Sequence, residues 1–336
     1  MKRKIVGIDL GTANSIICVQ NKGIVMRTPT LIAISKVDGS VVAVHNEAYR
    51  MLGKAPAGIE LVRPLQNGVI SNPTVTAMLI NALFRYTKTL TWYARPHVII
   101  CVPYNITELE KTAVEDAVFE AGAGSVALIE EPLAAALGIG ISPTKSGGNL
   151  IVDIGGGTTE ASVINLGGIV NSNAIRVAGS TFDESIISYL CRKRGIRIGE
   201  SQAEKLKKSI GSAHKTFDKG SLLVPGHSLE NGLATEMKIT SAEIRQAITP
   251  NLEQIIQTIK KTLETTSPQL SSDIFDRGII LTGGCAALGG IDRLITERTG
   301  LQVKIAPSPL YSVCLGIEKI IQSDGALDNL LQSRGR

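Results

Sequence analysis

The stretch LIVDIGGGTTEASVI, residues 150–164, sets an aspartate and three consecutive glycines between two apolar, β-branched runs. The runs read as strands and the glycines as the turn that joins them. Asp153 then closes the leading strand, and Gly155, Gly156, Gly157 and Thr158 form a turn whose bare backbone can approach a ligand closely. A second stretch, IVGIDLGTANSIICV at 5–19, repeats the order of strand, Asp9, glycine turn, threonine and strand. One copy in each half predicts two similar lobes that present equivalent hairpins to one cleft.

Successive amides in such turns aim at one point and make an anion nest. Gly11, Thr12, Ala13 and Asn14 form the first nest and residues 155–158 the second, a pair suited to a polyphosphate. A carboxylate repels phosphate unless a cation lies between them. Asp9 and Asp153 therefore read as ligands, through water, of a magnesium ion, which needs only one or two carboxylates. No GxxxxGK[ST] occurs, and neither hairpin opens a helix as a GxGxxG fingerprint does. Taken singly, either glycine run is an ordinary tight turn. A third cluster, IILTGGCAALGGIDRLI at 279–295, runs strand, Gly283, Gly284, helix, and such a turn either passes beneath a flat base or ribose or is a plain connection.

The rest of the chain frames this site. Its 336 residues are enough for two or more lobes with sizeable cores, and 43% apolar with 19% charged residues is ordinary for a soluble folded protein. A formal charge of +5 is too mild for a nucleic-acid binder, though it favours anionic surfaces. Asp9 and Gly11 interrupt the only signal-like start, and no run reaches the roughly 18 apolar residues of a membrane span. The expectation is a soluble, unsecreted chain. Cys18, Cys101, Cys191, Cys285 and Cys314 are odd in number, scattered and free of CxxC pairs, so buried reduced thiols are expected rather than disulfides or zinc.

Strand-like runs at 4–9, 15–19, 98–102, 149–154, 161–166 and 278–282 alternate with amphipathic stretches, which argues an α/β fold. Thr107 with Glu110, and Thr240 with Glu243, are capping boxes that open helices. Thr249 before Pro250 predicts a further helix start, with Leu252, Ile255, Ile256, Ile259 and Leu263 on one face. SPTKSGGN at 142–149 is the best hinge between halves.

The order of hairpin one, IEEPLAAALGIG at 129–140, hairpin two, LTGG and VCLGIEKII at 313–321 resembles the actin superfamily of ATPases, which also holds sugar kinases and heat-shock chaperones. GIDLGTAN, RPLQNGVI, IEEPLAAA, VDIGGGTTE, IGESQAEKLKKSIG and RGIILTGG are similar to the MreB family of bacterial actins, over essentially the whole chain. The resemblance implies duplicated α/β lobes of ribonuclease H-like type, each a mixed sheet with flanking helices, with the nucleotide in the cleft between them. It implies subdomains IA (1–30, 69–143, 312–336), IB (31–68), IIA (144–178, 242–311) and IIB (179–241). ATP and ADP with Mg²⁺ would bind there, with slow hydrolysis coupled to assembly.

On that resemblance Glu131 orients the attacking water and Thr158 is a second water or phosphate contact, beside Asp153 in the catalytic set. Glu131 also suits a helix N-terminus for the dipole alone. Glu204, Lys207 and Lys208 match the adenosine-side helix, where spacing by itself gives a solvated face. Ala134, Ala135, Ala136, Gly138 and Gly140 suit two helices that cross closely as a hinge, or a packed core helix. Trp92 and Tyr93, in TLTWYARP, either pack in the core or match the loop by which such filaments touch the inner leaflet. The implied partners are further copies of the chain in double filaments, the anionic inner face of the cytoplasmic membrane and membrane proteins of cell-wall morphogenesis, with no nucleic acid. Cys285 replaces a glycine, Ser180 an aspartate, and Asn67 and Asn72 acidic residues of the usual pattern, which bears on filament turnover more than on nucleotide. Small-molecule phosphotransferases and plasmid-segregating actins are the competing readings.

Overall fold

The computed structural model describes residues 4–66, 68–91, 94–142 and 145–332. Trp92 and Tyr93, like Asn67, lie outside the described residues. In chain order come β1 (Ile5–Leu10), β2 (Asn14–Val19), β3 (Gly23–Pro29), β4 (Ile32–Ser35), β5 (Val41–Val44), α1 (His45–Arg50), β6 (Ile59–Val62), β7 (Leu65–Gln66), β8 (Val69–Ile70), α2 (Pro73–Tyr86), β9 (His97–Val102), α3 (Glu108–Glu120), β10 (Ser125–Glu130) and α4 (Glu131–Gly138). They are followed by β11 (Asn149–Ile154), β12 (Thr159–Asn165), β13 (Gly168–Ile175), α5 (Gly179–Arg194), β14 (Ile196–Arg197), α6 (Glu200–Ile210), β15 (Ser221–Ser228), β16 (Ala234–Thr240), α7 (Ser241–Glu264), α8 (Pro268–Arg277), β17 (Ile279–Thr282), α9 (Ile291–Thr299), β18 (Val303–Ile305) and α10 (Ser312–Gln322).

The chain divides into two compact units. The first is Met1–Gly147 with Ser162–Ser172 and Ala306–Arg336; the second is Gly148–Ala161 with Asn173–Ile305. The boundary at Gly147 falls inside the stretch expected as a hinge.

Among the described residues there are two five-stranded sheets, ordered β10-β9-β1-β2-β3 and β18-β17-β11-β12-β13. Strand for strand the orders correspond, so the echo in sequence is a repeat of topology. In the first sheet β1 pairs antiparallel with β2 and parallel with β9, which pairs parallel with β10. In the second, β11 pairs parallel with β17 and β17 with β18. The uniformly apolar runs that predicted central strands are buried: Val6, Ile8, Val98, Ile100 and Leu128 join Leu79, Leu83 and Phe84 of α2 in one core.

Caps start the helices where the sequence places them. The amide and hydroxyl of Thr107 donate to Glu110 Oε2 at 2.7 and 2.9 Å, and Thr240 does the same to Glu243 at 2.8 and 2.7 Å. Asn72 accepts from the Val75 amide at 3.1 Å, with Pro73 at the first helical position of α2.

One expectation fails. No helix begins at Thr249, because α7 runs unbroken from Ser241 to Glu264 with Pro250 inside it. The Thr249 hydroxyl donates back to Arg245 O at 2.7 Å instead of capping forward. Ile244, Ile248, Leu252, Ile255 and Ile259 form one buried face across the proline, and that burial outweighs the hydrogen bond a proline removes.

In the first unit α4 and α10 cross with their backbones nearly touching. A Cβ on Gly138 would collide with Ser312 O, and one on Gly316 with Ala134 O. Lys319 Nζ then caps α4 by donating to Leu137 O at 2.6 Å. The small residues of IEEPLAAALGIG thus serve a close crossing, as one of their two readings held.

Candidate functional site

The first hairpin carries Asp9 at the carboxyl end of β1, and its turn closes by a hydrogen bond from Gly11 N to Asn14 O at 3.1 Å. Three hydroxyls fix the turn from behind. Thr30 Oγ1 donates to Gly11 O at 2.7 Å and lies 2.8 Å from Ser15 Oγ, while Thr30 N donates to Ala13 O at 3.0 Å. Thr12 Oγ1 accepts from Gly68 N at 3.0 Å. With the carbonyls of Gly11 and Ala13 engaged, the amide edge of the turn is what remains for an anion.

β10, β9 and β1 are neighbours running in one direction, so Glu131, directly after β10, and Asp9 sit at the same end of the sheet with β9 between them. Cys101 near the end of β9 registers both: burial first, then the Asp9 and Glu131 carboxylates, push its thiol well up. Glu131 is the first residue of α4, with Pro132 next, and it lines a groove with Leu10, Cys101, Pro103 and Ile106. The groove is mostly apolar-walled and carries two carboxylates, Glu131 and Glu110, of which Glu131 lies at the strand end where a water can be positioned.

The second hairpin repeats the geometry. Asp153 lies next to last in β11, opposite Thr282 in the parallel partner β17, and Gly155 N donates to Thr158 O at 2.9 Å. Here the brace comes from α5: Gly179 N donates to Gly155 O at 3.2 Å and Ser180 N to Gly156 O at 2.7 Å. Cys285 Sγ adds a weak bond to Gly155 O at 3.3 Å, and burial pushes that thiol up to about 11. Burial, reinforced by Glu160, pushes Asp153 up to about 7.

Gly283 is also required by packing within the unit. Its φ is +86°, and a Cβ there would meet Asp153 Oδ1 and Ile154 O, so the glycine makes room for the aspartate strand itself. Gly284 begins a short 3₁₀ turn, Gly284–Ala287, before α9. On α6, Lys208 pairs with Glu204 at 2.5 Å, whereas Lys207 is held inside the unit by Asp183 at 2.7 Å and Gly179 O at 2.6 Å. Lys207 is thus a brace and not part of a solvated face.

Sequence reasoning missed Ser15, Thr30, Gly68, Gly179 and Asp183. Thr30 stands 19 residues from the carbonyl it braces, and no local pattern marks it. Asp183 carries at most a faint signal, as the first acid of α5, with Glu184 directly after it.

Comparison with known proteins finds relatives of one family along nearly the whole chain. The family profile described as MreB/Mbl protein matches residues 3–329. The cell shape-determining protein Mbl of Bacillus cereus is 40% identical over 311 residues, 93% of each chain. The cell shape-determining protein MreB of Escherichia coli K12 is 40% identical over 320 residues, 94% of this chain and 92% of its own. MreB5 of Spiroplasma citri, solved with ADP, superposes with a TM-score of 0.92 at 36% identity over 98% of both chains. The same protein with AMPPNP gives 0.93 at 35%. The MamK double helical filament gives 0.81 at 18% identity, a likeness of fold alone.

Proposed function

The chain belongs to the MreB/Mbl family, with an actin-like fold, and on that premise we propose that it is an ATP-driven, filament-forming bacterial actin that maintains cell shape. The observation that carries the reading is the pair of glycine turns. Each is closed by the same amide-to-carbonyl bond, and each begins two residues after an aspartate at the end of a strand. In open α/β sheets that end of the strands is where ligands bind.

In this reading the turns of residues 11–14 and 155–158 hold phosphate through amides other than those of Gly11 and Gly155, which close the turns. Glu204 and Lys208 on α6, with Gly283 and Gly284 after β17, line the adenosine side, and Lys207 holds α6 in place. The magnesium ion fits the residues present. Burial and Glu160 push the Asp153 carboxyl up to about 7, and a hydrated divalent cation beside it would restore its ionised form. Asp9 and Asp153 would hold that ion through water. When bound it neutralises the charge that develops on the transferring phosphoryl group. Glu131 orients the water that attacks and Thr158 holds it or the phosphate, so hydrolysis needs positioning more than covalent chemistry. The four-part division into IA, IB, IIA and IIB is proposed with it. So are self-association into double filaments, contact of Trp92 and Tyr93 with the anionic inner face of the membrane, and engagement of the wall-synthesis machinery from the cytoplasm.

Electron microscopy of the purified chain with Mg-ATP and anionic vesicles tests the reading. Nucleotide-dependent filaments on the vesicle surface are expected. Tight ATP binding without assembly, together with turnover stimulated by a small acceptor, would replace it with a phosphotransferase.

A further inference from the structure

Within the second unit, four elements meet at Gly179. A Cβ added to this residue would lie 3.1 Å from Cys285 Sγ, 3.4 Å from Gly155 O and 3.4 Å from Lys207 Nζ. The glycine turn, the start of α5, α6 and the loop after β17 thus converge on one backbone position. Lys207 is the link. Its ammonium, with a side chain only 12% exposed, donates to Gly179 O at 2.6 Å and to Asp183 Oδ2 at 2.7 Å. Gly179 and Ser180 in turn donate to the carbonyls of Gly155 and Gly156.

The other oxygen, Asp183 Oδ1, is buried without a hydrogen-bond partner, in a residue only 7% exposed. Most buried side-chain oxygens have a hydrogen-bond partner, so one left without calls for a reason. Half-satisfied buried acids persist where the arrangement serves a site. Burial outweighs Lys207 and, with Glu204 and Glu200 on α6 opposing the charge, pushes Asp183 up to about 6.

We propose that Asp183 is a positioning residue for nucleotide: through Lys207 it locks α6, which carries the adenosine-side residues, to the phosphate-side turn of residues 155–157. The inference rests on the nucleotide reading above and adds a coupling to it. The two halves of the ligand are then recognised by one rigid piece, and binding energy from the adenosine depends on the clamp holding α6 in register with the turn. Lys207 acts as a tether in this arrangement, and Asp183 need not touch the nucleotide.

The test compares the affinity of the full chain for Mg-ATP with that for Mg-tripolyphosphate, which has no adenosine. D183N keeps the shape and removes the charge that holds Lys207. The expected result is about a tenfold loss for ATP, the scale of one charge-assisted hydrogen bond, and less than about a twofold loss for tripolyphosphate. K207Q breaks the same clamp from the other side and is read in parallel. It serves if D183N does not fold, and the double variant should be no weaker than either single one. Unchanged ATP affinity in both variants, or equal losses for both ligands, overturns the coupling. A parent chain that binds neither ligand overturns the nucleotide reading itself, a different outcome.

Discussion

The turn of residues 11–14 is braced by the neutral hydroxyls of Thr30 and Ser15, whereas the turn of residues 155–158 is braced by a helix start, a buried ion pair and a thiol. The backbone geometry is duplicated, since both turns close by the same bond and both sheets share one strand order. The electrostatics are not. Hydroxyls do not titrate in the physiological range, while Asp153 and Asp183 sit at about 7 and about 6. A duplicated scaffold can thus hold its geometry by unrelated means, and in the second copy burial adds a pH-dependent penalty at Asp153 and Asp183.

The largest expected effect comes from two glycines, Gly283 beside the aspartate strand of the second unit and Gly7 within that of the first. In the second unit Gly283→Ala places a Cβ against Ile154 O and Asp153 Oδ1 at a φ of +86°. Backbone has nowhere to go, and a cost of about 3–5 kcal/mol follows from overpacking and strain together. In the first unit Gly7→Ala meets Cys18 Sγ and Ile317 Cγ2, side-chain atoms that can rotate, and costs about 1–3 kcal/mol. Urea midpoints of the two variants rank them. A larger loss from Gly7→Ala would show that the first core, not the second, is the rigid one.

Next in size is the response to pH. The Asp153 carboxyl is raised from 3.8 to about 7, so between those values the folded chain keeps a proton that the unfolded chain has lost. Its contribution is greatest below pH 4 and disappears as pH rises to 7, by at most about 4 kcal/mol. Asp183 acts in the same direction between 3.8 and about 6. D153N should therefore lose less stability than the parent between pH 5 and 8 in chelator, and Mg²⁺ should restore the parent at pH 8 through preferential binding to the folded state. Parallel pH curves for the two chains would place the titrating group elsewhere.

Much of this arrangement was legible in the sequence because it is local. The two hairpins, the strand-end aspartates, the capping boxes at Thr107 and Thr240 and a unit boundary near Gly147 follow from short-range pattern. What was not legible depends on packing between distant segments. The brace from Thr30 to Gly11 depends on β3 running back beside β2, and Lys207 reaches Asp183 across 24 residues and two helices. Pro250 misled because propensity predicts a boundary where a continuous apolar face holds one helix together. That Gly283 must also leave room for Asp153 and Ile154 was not legible, because that contact joins two segments far apart in the chain.

The smallest effects separate the braces themselves. Thr30→Val removes the donor to Gly11 O and leaves Ser15, which is fully buried, without its hydroxyl partner. An unsatisfied buried polar group costs about 1–3 kcal/mol. Cys285→Ala removes only a thiol donor at 3.3 Å from a carbonyl that Gly179 N still serves, and a thiol is a weak donor, so the loss should stay under about 1 kcal/mol. Hydrogen exchange at the two turns gives the local reading: protection should fall at residues 11–14 in the first variant and hardly change at 155–158 in the second. If instead Cys285→Ala loosens its turn as much as Thr30→Val does, the brace of the second hairpin lies in the thiol and not in the α5 amides. The clamp through Lys207 would then have less to hold in place.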